Sequence, residues 1–425
     1  VDKSEPKRTN ATPDGEIAGA RARVAALRLI DAVLRQGQRL DTSVIHATRN
    51  LTLPEDRALA IAIATEVLRH LPDLDALIDS ATEKPLPHDV KARSVLRLAL
   101  AQALILGTPA HAAIATALPL VLGGPRRLVH GVFGTLTRRG ALLPEIPTLP
   151  AEVVERWTKA WGPEALENAA KAIAAPPPLD LALRDETESE IEGEQLAPNH
   201  RRLPRGLSVT ALPGYKEGRF WVQNIAAQIP VTLLGKGDGL GKDRGRTVLD
   251  LCAAPGGKTM QLAAADWNVI AVEQHSGRIQ RLRENLTRTG LTAEIVEADV
   301  MAWEPAAPID AILLDAPCTA TGIFARHPDV LHRIGAKDIA SLSALQGRML
   351  ARAIQWLKPD GRLVYATCSM EPEEGEQVIA ASGLTVDPVT TEELPLGLTS
   401  APEGWVRILP KPGLDGFFMA RLKRS

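Results

Sequence analysis

From Arg246 onward short apolar runs alternate with helical stretches, and that alternation constrains the fold more than any other feature of the chain. The runs lie at residues 247–251, 269–272, 293–296, 309–314 and 362–365. They are apolar almost without a break, as strands buried on both faces must be. Helical periodicity fills residues 258–265, 276–289 and 338–357 between them. Strand and helix in alternation predict an open α/β sheet that presents ligand chemistry at the carboxyl ends of its strands.

Those ends are where the unusual residues fall. The chain has three cysteines among 425 residues, and each stands just past an apolar run: Cys252, Cys318 and Cys368. Thiols kept for packing would scatter over apolar faces instead. After the first run comes Asp250-Leu251-Cys252-Ala253-Ala254-Pro255-Gly256-Gly257-Lys258-Thr259. Small residues keep this turn tight, Pro255 stiffens it, and Gly256-Gly257 allow backbone amides to approach an anionic group at a helix start. Lys258-Thr259 suggests a triphosphate loop, but Cys252 occupies the place of its first glycine. About 17 residues on, Glu273 closes the second run, where a carboxylate can hold both ribose hydroxyls. Asp299, after the third run, is a candidate for an adenine amino group. A ribose, an adenine and a carboxylate-binding turn without a two-phosphate site favour S-adenosylmethionine over a dinucleotide.

Asp315-Ala316-Pro317-Cys318 and Thr367-Cys368-Ser369 end two further runs and should open on the same crevice. Only about 3% of an ordinary thiol is ionised at neutral pH, so a nucleophilic cysteine needs an electropositive or hydrogen-bonding setting. Two inert buried thiols are the competing reading. Zinc needs about four ligands, and no further Cys or paired His accompanies these loops, so no metal site is expected. His327 and His332 stand among Arg326, Asp329 and Arg333, which fit phosphate or salt-bridge roles better.

The front of the chain reads differently. Residues 1–19 are polar and read as a disordered head, and 20–145 show helical periodicity throughout and read as an all-helical domain. Residues 146–240 read as linker helices and a small α/β subdomain, broken at 175–178 by consecutive prolines, and 241–425 as the α/β domain. The glycine-rich stretch 235–242 fails the phosphate-loop spacing and reads as a mobile surface loop. Between Val90 and Gly140 stand Lys91, Arg93, Arg97, Arg126, Arg127, Arg138 and Arg139 and no acidic residue, a local excess that suits phosphates as well as plain solvated helix faces. The net charge of -2 gives no global pull toward nucleic acid, and 3% aromatic residues disfavour an exposed stacking platform. Few cysteines, no long apolar stretch and no leader pattern lead to the expectation of a cytoplasmic monomer that binds no membrane.

The cysteine motifs resemble those of the Sun-type, RsmB-like RNA cytosine-5 methyltransferases. The likeness rests on Asp315-Ala316-Pro317-Cys318 with Gly322 and Arg326-His327-Pro328-Asp329, and on Tyr365-Ala366-Thr367-Cys368-Ser369 with Pro372-Glu373-Glu374. Leu251 to Lys258 is similar to the cofactor motif of that family, Gly218-Arg219-Phe220-Trp221-Val222-Gln223 to the segment before its catalytic domain, and Asp415-Gly416-Phe417-Phe418 to its last strand. Val67-Leu68-Arg69, Leu96-Arg97-Leu98 and His111-Ala112-Ala113 resemble landmarks of a NusB-like RNA-binding domain.

The resemblance implies a Rossmann-like methyltransferase domain behind an all-helical RNA-binding domain. It implies S-adenosylmethionine as cofactor, held by Cys252, Ala253, Ala254, Pro255, Gly256, Gly257, Lys258, Glu273, Asp299 and Asp315, and RNA, ribosomal RNA first, as partner. Carbon 5 of cytosine is a poor nucleophile until a thiolate adds to carbon 6. By resemblance Cys368 is that thiolate, Asp315 hydrogen-bonds the ring nitrogen and exocyclic amine, and Cys318 assists loss of the carbon 5 proton. The seven basic residues and Arg326 would meet the RNA, and the target base would have to leave its stack. Thr319-Ala320-Thr321-Gly322 departs from the usual Ser-Gly after the first cysteine, Gly375 from an usual Asn, and Asn224-Ile225 from an acidic pair. A tRNA substrate, or a binding-only ribosome-assembly factor, are the alternatives. The second would have no need of the thiols.

Overall fold

The computed structural model describes residues 19–174, 177–188, 190–238 and 245–424. The expected disordered head, except its last residue, the start of the proline run and the second half of the glycine-rich stretch lie outside these residues. In chain order the helices are α1 (Ala20–Leu34), α2 (Leu40–Ala47), α3 (Pro54–Arg69), α4 (Leu71–Ser80), α5 (Lys91–Leu104), α6 (Ala110–Ala117), α7 (Gly123–Arg138), α8 (Ala151–Ala174), α9 (Ile225–Thr232), α10 (Gly257–Ala264), α11 (Ser276–Thr289), α12 (Val330–Arg333), α13 (Ala336–Ala353) and α14 (Glu376–Ser382). The strands are β1 (Leu179–Leu183), β2 (His200–Leu203), β3 (Phe220–Val222), β4 (Thr247–Leu251), β5 (Asn268–Glu273), β6 (Glu294–Glu297), β7 (Ile309–Asp315), β8 (Leu357–Thr367), β9 (Thr385–Val386), β10 (Val406–Ile408) and β11 (Phe417–Lys423).

Two compact units emerge. One runs through Val154 and takes in His327–Arg333; the other comprises Glu155–Arg326 and Ile334–Ser425. The first is all helix. In α1 the residues Ala22, Ala26, Leu29, Ile30 and Val33 recur at helical spacing and are buried, and Val95, Leu96, Leu98 and Ala99 of α5 share the same core. Helix α2 was not foreseen, because Leu40, Ser43 and Ala47 are its only buried residues and make too thin an apolar stripe to read. The Asp329 carboxylate accepts from the Leu40 amide at 3.3 Å and from Arg333 Nε at 3.0 Å, and His332 Nε2 lies 2.6 Å from the Leu68 carbonyl. Those bonds explain why residues 327–333, distant in sequence, belong to this unit. The boundary between the two units falls inside the stretch 146–240 read as linker helices and a small α/β subdomain, with residues through Val154 in the helical unit and those from Glu155 in the sheet unit.

In the second unit a small antiparallel sheet has the order β2-β1-β3, and a large one the order β10-β11-β8-β7-β4-β5-β6, with β9 beside β11. Strands β4 to β8 run parallel, β11 is antiparallel to them, and β10 pairs antiparallel with β11. Alternate residues of the central strands enter different cores. Val248, Leu313, Val364 and Ala366 pack with Ile225, Ile229 and Leu262, whereas Leu249, Ile312, Leu314 and Leu363 pack with Met349 and Leu350. Helices thus cover both faces, which is why these strands read as unbroken apolar runs. The fold is the α/β, Rossmann-like arrangement. From β4 the chain proceeds outward to β5 and β6, then returns to place β7 on the other side of β4, so β4 and β7 flank the topological switch point where such sheets bind ligands.

Candidate functional site: two thiols and a cofactor turn at the switch point

At the end of β4 the chain makes a sharp turn through Cys252 (φ 64°) to Gly256 (φ 106°), which caps α10. A side chain at Gly256 would be strained, and its Cβ would lie 2.6 Å from Leu282 Cδ1. The turn is held by the Ala253 amide on the Val272 carbonyl at 3.1 Å, by Asn285 Nδ2 on the Pro255 carbonyl at 2.9 Å, and by Arg278 on the Ala254 carbonyl. Helix α11 supplies these last groups because Ile279, Leu282 and Leu286 anchor one face of it, and Gly290 (φ 62°) stops it. Ala253 and Ala254 are buried, Pro255 is exposed, and Cys252 is half-buried. Burial pushes the Cys252 thiol well up, and the Asp315 and Glu273 carboxylates add to it.

Three carboxylates stand at or near the carboxyl ends of β4, β5 and β6. Glu273, at the end of β5, accepts from the His275 amide at 3.0 Å; its other oxygen is buried, 3.2 Å from Arg278 Nη1 but without hydrogen-bond geometry. That open acceptor at a strand end fits a ribose hydroxyl. Asp299 is exposed past β6 and accepts from the Met301 amide at 2.9 Å. Asp250 is buried in β4, with Thr259 Oγ1 donating to it at 2.5 Å and Oδ1 lacking a hydrogen bond. Burial pushes its carboxyl up to about 7, the Thr259 bond working against this.

Asp315 closes β7 opposite Ala366 of β8 and accepts from Lys258 Nζ at 2.8 Å. Burial works against the Lys258 ammonium, yet the Asp315 carboxylate, with Cys368 and Asp250 adding, holds its pKa above the usual value. Three residues past Asp315, Cys318 Sγ lies 3.5 Å from Cys368 Sγ, and both cysteines are free. The backbone explains the approach. The Ala316 amide donates to Ala366 O at 3.0 Å, the Gly322 amide to Cys368 O at 2.9 Å, and the Gly416 amide to Gly322 O at 2.8 Å. Any Cβ on Gly322 would sit 2.2 Å from the Gly416 oxygen, so only glycine permits this stitching. The bond to Cys368, with burial behind it, pushes the Cys318 thiol well above its ordinary value, so Cys318 holds its proton at neutral pH.

Residues that sequence reasoning did not single out brace the Cys368 loop. Trp161 Nε1 donates to Met370 O at 2.9 Å and Trp157 Nε1 to Glu371 Oε1 at 3.1 Å. Arg407 lies over the rings of Trp161 and Phe418 at 4.8 and 5.0 Å and donates to Ser369 O at 2.5 Å. The two tryptophans in one helix were a usable signal, since so few aromatic residues occur elsewhere.

The basic residues do not stay together as one class. Lys91, Arg126, Arg127, Arg138 and Arg139 are exposed. Arg93 and Arg97 are corrections: both are buried. Arg93 Nη1 lies 2.9 Å from Asp75 and Nη2 pairs with Asp79, while Arg97 meets both oxygens of Asp75 at 2.7 and 2.8 Å. Buried and committed to carboxylates, they are not available to phosphates. Arg326 is half-buried, its Nε donating to Asp415 at 3.0 Å. Among the described residues no three His, Cys, Asp or Glu side chains are grouped to hold a metal, and no helix is long and apolar enough to cross a membrane.

Comparison with known proteins agrees with this geometry. The family model described as 16S rRNA methyltransferase RsmB/F matches residues 240–423, and that of the NusB family matches residues 20–122. A protein of Xanthomonas campestris pv. campestris named ribosomal RNA small subunit methyltransferase B is 32% identical over 96% of this chain and 98% of its own length. One of the same name from Klebsiella pneumoniae subsp. pneumoniae is 35% identical over 94% and 97%. The crystal structure of a methyltransferase homolog protein from Pyrococcus horikoshii superposes with a TM-score of 0.54 at 27% identity, covering 69% of this chain and 98% of that one. The chain therefore belongs to the RsmB/F family of 16S rRNA methyltransferases, with a NusB-family segment in front of its methyltransferase sheet.

Proposed function

We propose that this protein methylates carbon 5 of a cytosine in small-subunit ribosomal RNA, acting as a single chain in the cytoplasm, through a covalent bond between Cys368 and the base. The observation that carries the reading is the 3.5 Å approach of two free thiols beside Asp315 and Lys258, at the switch point of the sheet. S-adenosylmethionine, when bound, would supply the methyl group, and Glu273 would hold its ribose, Asp299 its adenine and the Cys252 to Lys258 turn the rest.

Cys368 adds to carbon 6 and makes carbon 5 electron-rich, a step that needs a thiolate. The Lys258 ammonium, held charged by Asp315, supplies the positive potential beside it. Asp315, partly exposed at the strand end, accepts from the exocyclic amine and so orients the ring, while the Lys258 ammonium offsets the negative charge that develops on it. Once the Cys368 sulfur is bonded to carbon, the hydrogen bond that kept the proton on Cys318 weakens. After carbon 5 has taken the methyl group, Cys318, its own proton given up to water, accepts the carbon 5 proton, and the electrons of that C–H bond restore the ring double bond and expel Cys368 as a thiolate, freeing the methylated base. Lys91, Arg126, Arg127, Arg138 and Arg139, all exposed, are the phosphate contacts of the helical unit, and Arg326 a contact near the thiols.

Small-subunit RNA incubated with the purified protein and methyl-labelled S-adenosylmethionine is expected to acquire label at one cytosine. Cys368→Ala should incorporate none while still binding the cofactor. Transfer by that variant at a tenth of the wild-type rate or more would refute the assignment, since losing an attacking group costs several orders of magnitude, about 10⁴ or more.

A further inference from the structure

Glu374 is fully buried in the turn after the Cys368 loop, and its carboxylate is bonded to neither sulfur but to the residue that follows each. Oε1 accepts from the Thr319 amide at 2.9 Å and from Gln346 Nε2 at 3.0 Å. Oε2 accepts from the hydroxyls of Thr319 and Ser369. Thr319 directly follows Cys318, and Ser369 directly follows Cys368. Around this centre the contacts close on themselves. The Thr319 and Ser369 hydroxyls lie 3.2 Å apart, the Met370 amide donates to Thr321 Oγ1 at 3.0 Å, and Gln346 Nε2 also reaches the Pro317 carbonyl at 2.9 Å. The backbone carbonyl of Glu374 accepts from the Tyr365 hydroxyl at 2.7 Å, tying the turn to β8.

All four donors to the carboxylate are neutral groups, and burying a carboxylate among them is costly, which argues against mere packing. Burial indeed pushes the Glu374 carboxyl up, against the pull of the bonds from Ser369, Thr319 and Gln346. What a carboxylate offers here is acceptance in several directions from two loops that share no strand. Gln346 sits on the buried face of α13 with Ile339, Met349 and Leu350, a polar residue kept among apolar ones for the same purpose.

We propose that Glu374 is the positioning residue of the two-thiol reaction: by gripping Thr319 and Ser369 together it fixes the separation at which Cys318 acts on a base bonded to Cys368. The inference rests on the roles given above to the two cysteines, but the spacing it concerns is measurable without RNA.

Diamide oxidation of the full-length protein reads that spacing. Each event joins Sγ of Cys318 to Sγ of Cys368, and the two protons and two electrons lost by the thiols reduce the azo bond to a hydrazine. The 318–368 linked peptide is quantified by mass spectrometry, and methylation kinetics are measured in parallel. Glu374→Ala should slow linkage about tenfold and lower kcat about 100-fold, with KM for S-adenosylmethionine within about twofold, the cost expected for roughly 1 Å of misplacement. Glu374→Gln should keep linkage within about threefold of wild type, because its oxygen can take the two N–H donors while its amide group donates to the two hydroxyls, which turn to accept. Linkage at the wild-type rate in Glu374→Ala overturns the proposal. If that variant does not fold, Thr319→Val decides, since it removes only one hydroxyl; a slower linkage supports the proposal and an unchanged one overturns it. Should the linkage rates follow expectation while the wild-type protein methylates no RNA, the positioning stands and the cytosine-5 reading falls.

Discussion

Asp250 is the residue whose burial has the most readable consequence. Its folded carboxyl is pushed up to about 7 from the ordinary 3.8, chiefly by burial. Between those values the folded protein holds a proton that the unfolded chain has shed, so this group's contribution to stability is present at low pH and is lost as pH rises toward 7. Asp250→Asn removes the titration while keeping an acceptor for Thr259. Relative to wild type, the variant should gain up to a few kcal/mol between pH 5 and pH 8, seen in thermal melts at both values; a difference that does not change with pH would contradict this. At the same scale the cysteines were legible in the sequence, since each follows an apolar run. Arg93 and Arg97 were not. Counting charge between Val90 and Gly140 cannot see Asp75 and Asp79, which lie upstream of that window and neutralise both.

Helix α5 is therefore held by buried ion pairs, and it separates structure from recognition. Arg97→Ala leaves the Asp75 carboxylate without its two-pronged partner and should cost about 3–5 kcal/mol of stability in denaturant melts. RNA affinity of the folded fraction should stay unchanged; a loss of affinity without loss of stability would restore Arg97 to the RNA-binding set. The central parallel strands were readable because burial on both faces writes itself as an apolar run. The antiparallel margin of β9, β10 and β11 was not read from periodicity, since two of these strands have three residues or fewer; only the resemblance marked β11. One departure from the family pattern has a steric reason. A Cβ on Gly375 would lie 2.7 Å from both Arg407 Nη2 and Phe418 Cγ, and Phe418 is fully buried. Gly375→Asn should cost about 1–3 kcal/mol by overpacking, and a melt unchanged from wild type would show that the loop yields freely.

For the molecule as a whole, the proposed function makes the exposed basic residues of the helical unit a matter of RNA affinity and the sheet unit one of chemistry. Replacing Arg126 and Arg127 by Glu should weaken RNA binding and flatten its dependence on salt by roughly 0.7–0.9 in logarithmic slope per lost phosphate contact, with cofactor binding unchanged; an unaltered salt slope would leave them as solvated helix surface. The proposed chemistry turns on an order of events between two thiols 3.5 Å apart. The most direct measurement is a denaturing gel of protein incubated with labelled small-subunit RNA and S-adenosylmethionine. Cys318→Ala should attack and methylate but release slowly, giving a slow-migrating protein–RNA adduct, while Cys368→Ala and the double variant give none. An adduct in Cys368→Ala but not in Cys318→Ala would reverse the roles of the two cysteines, and two active variants without any adduct would contradict covalent catalysis in this protein.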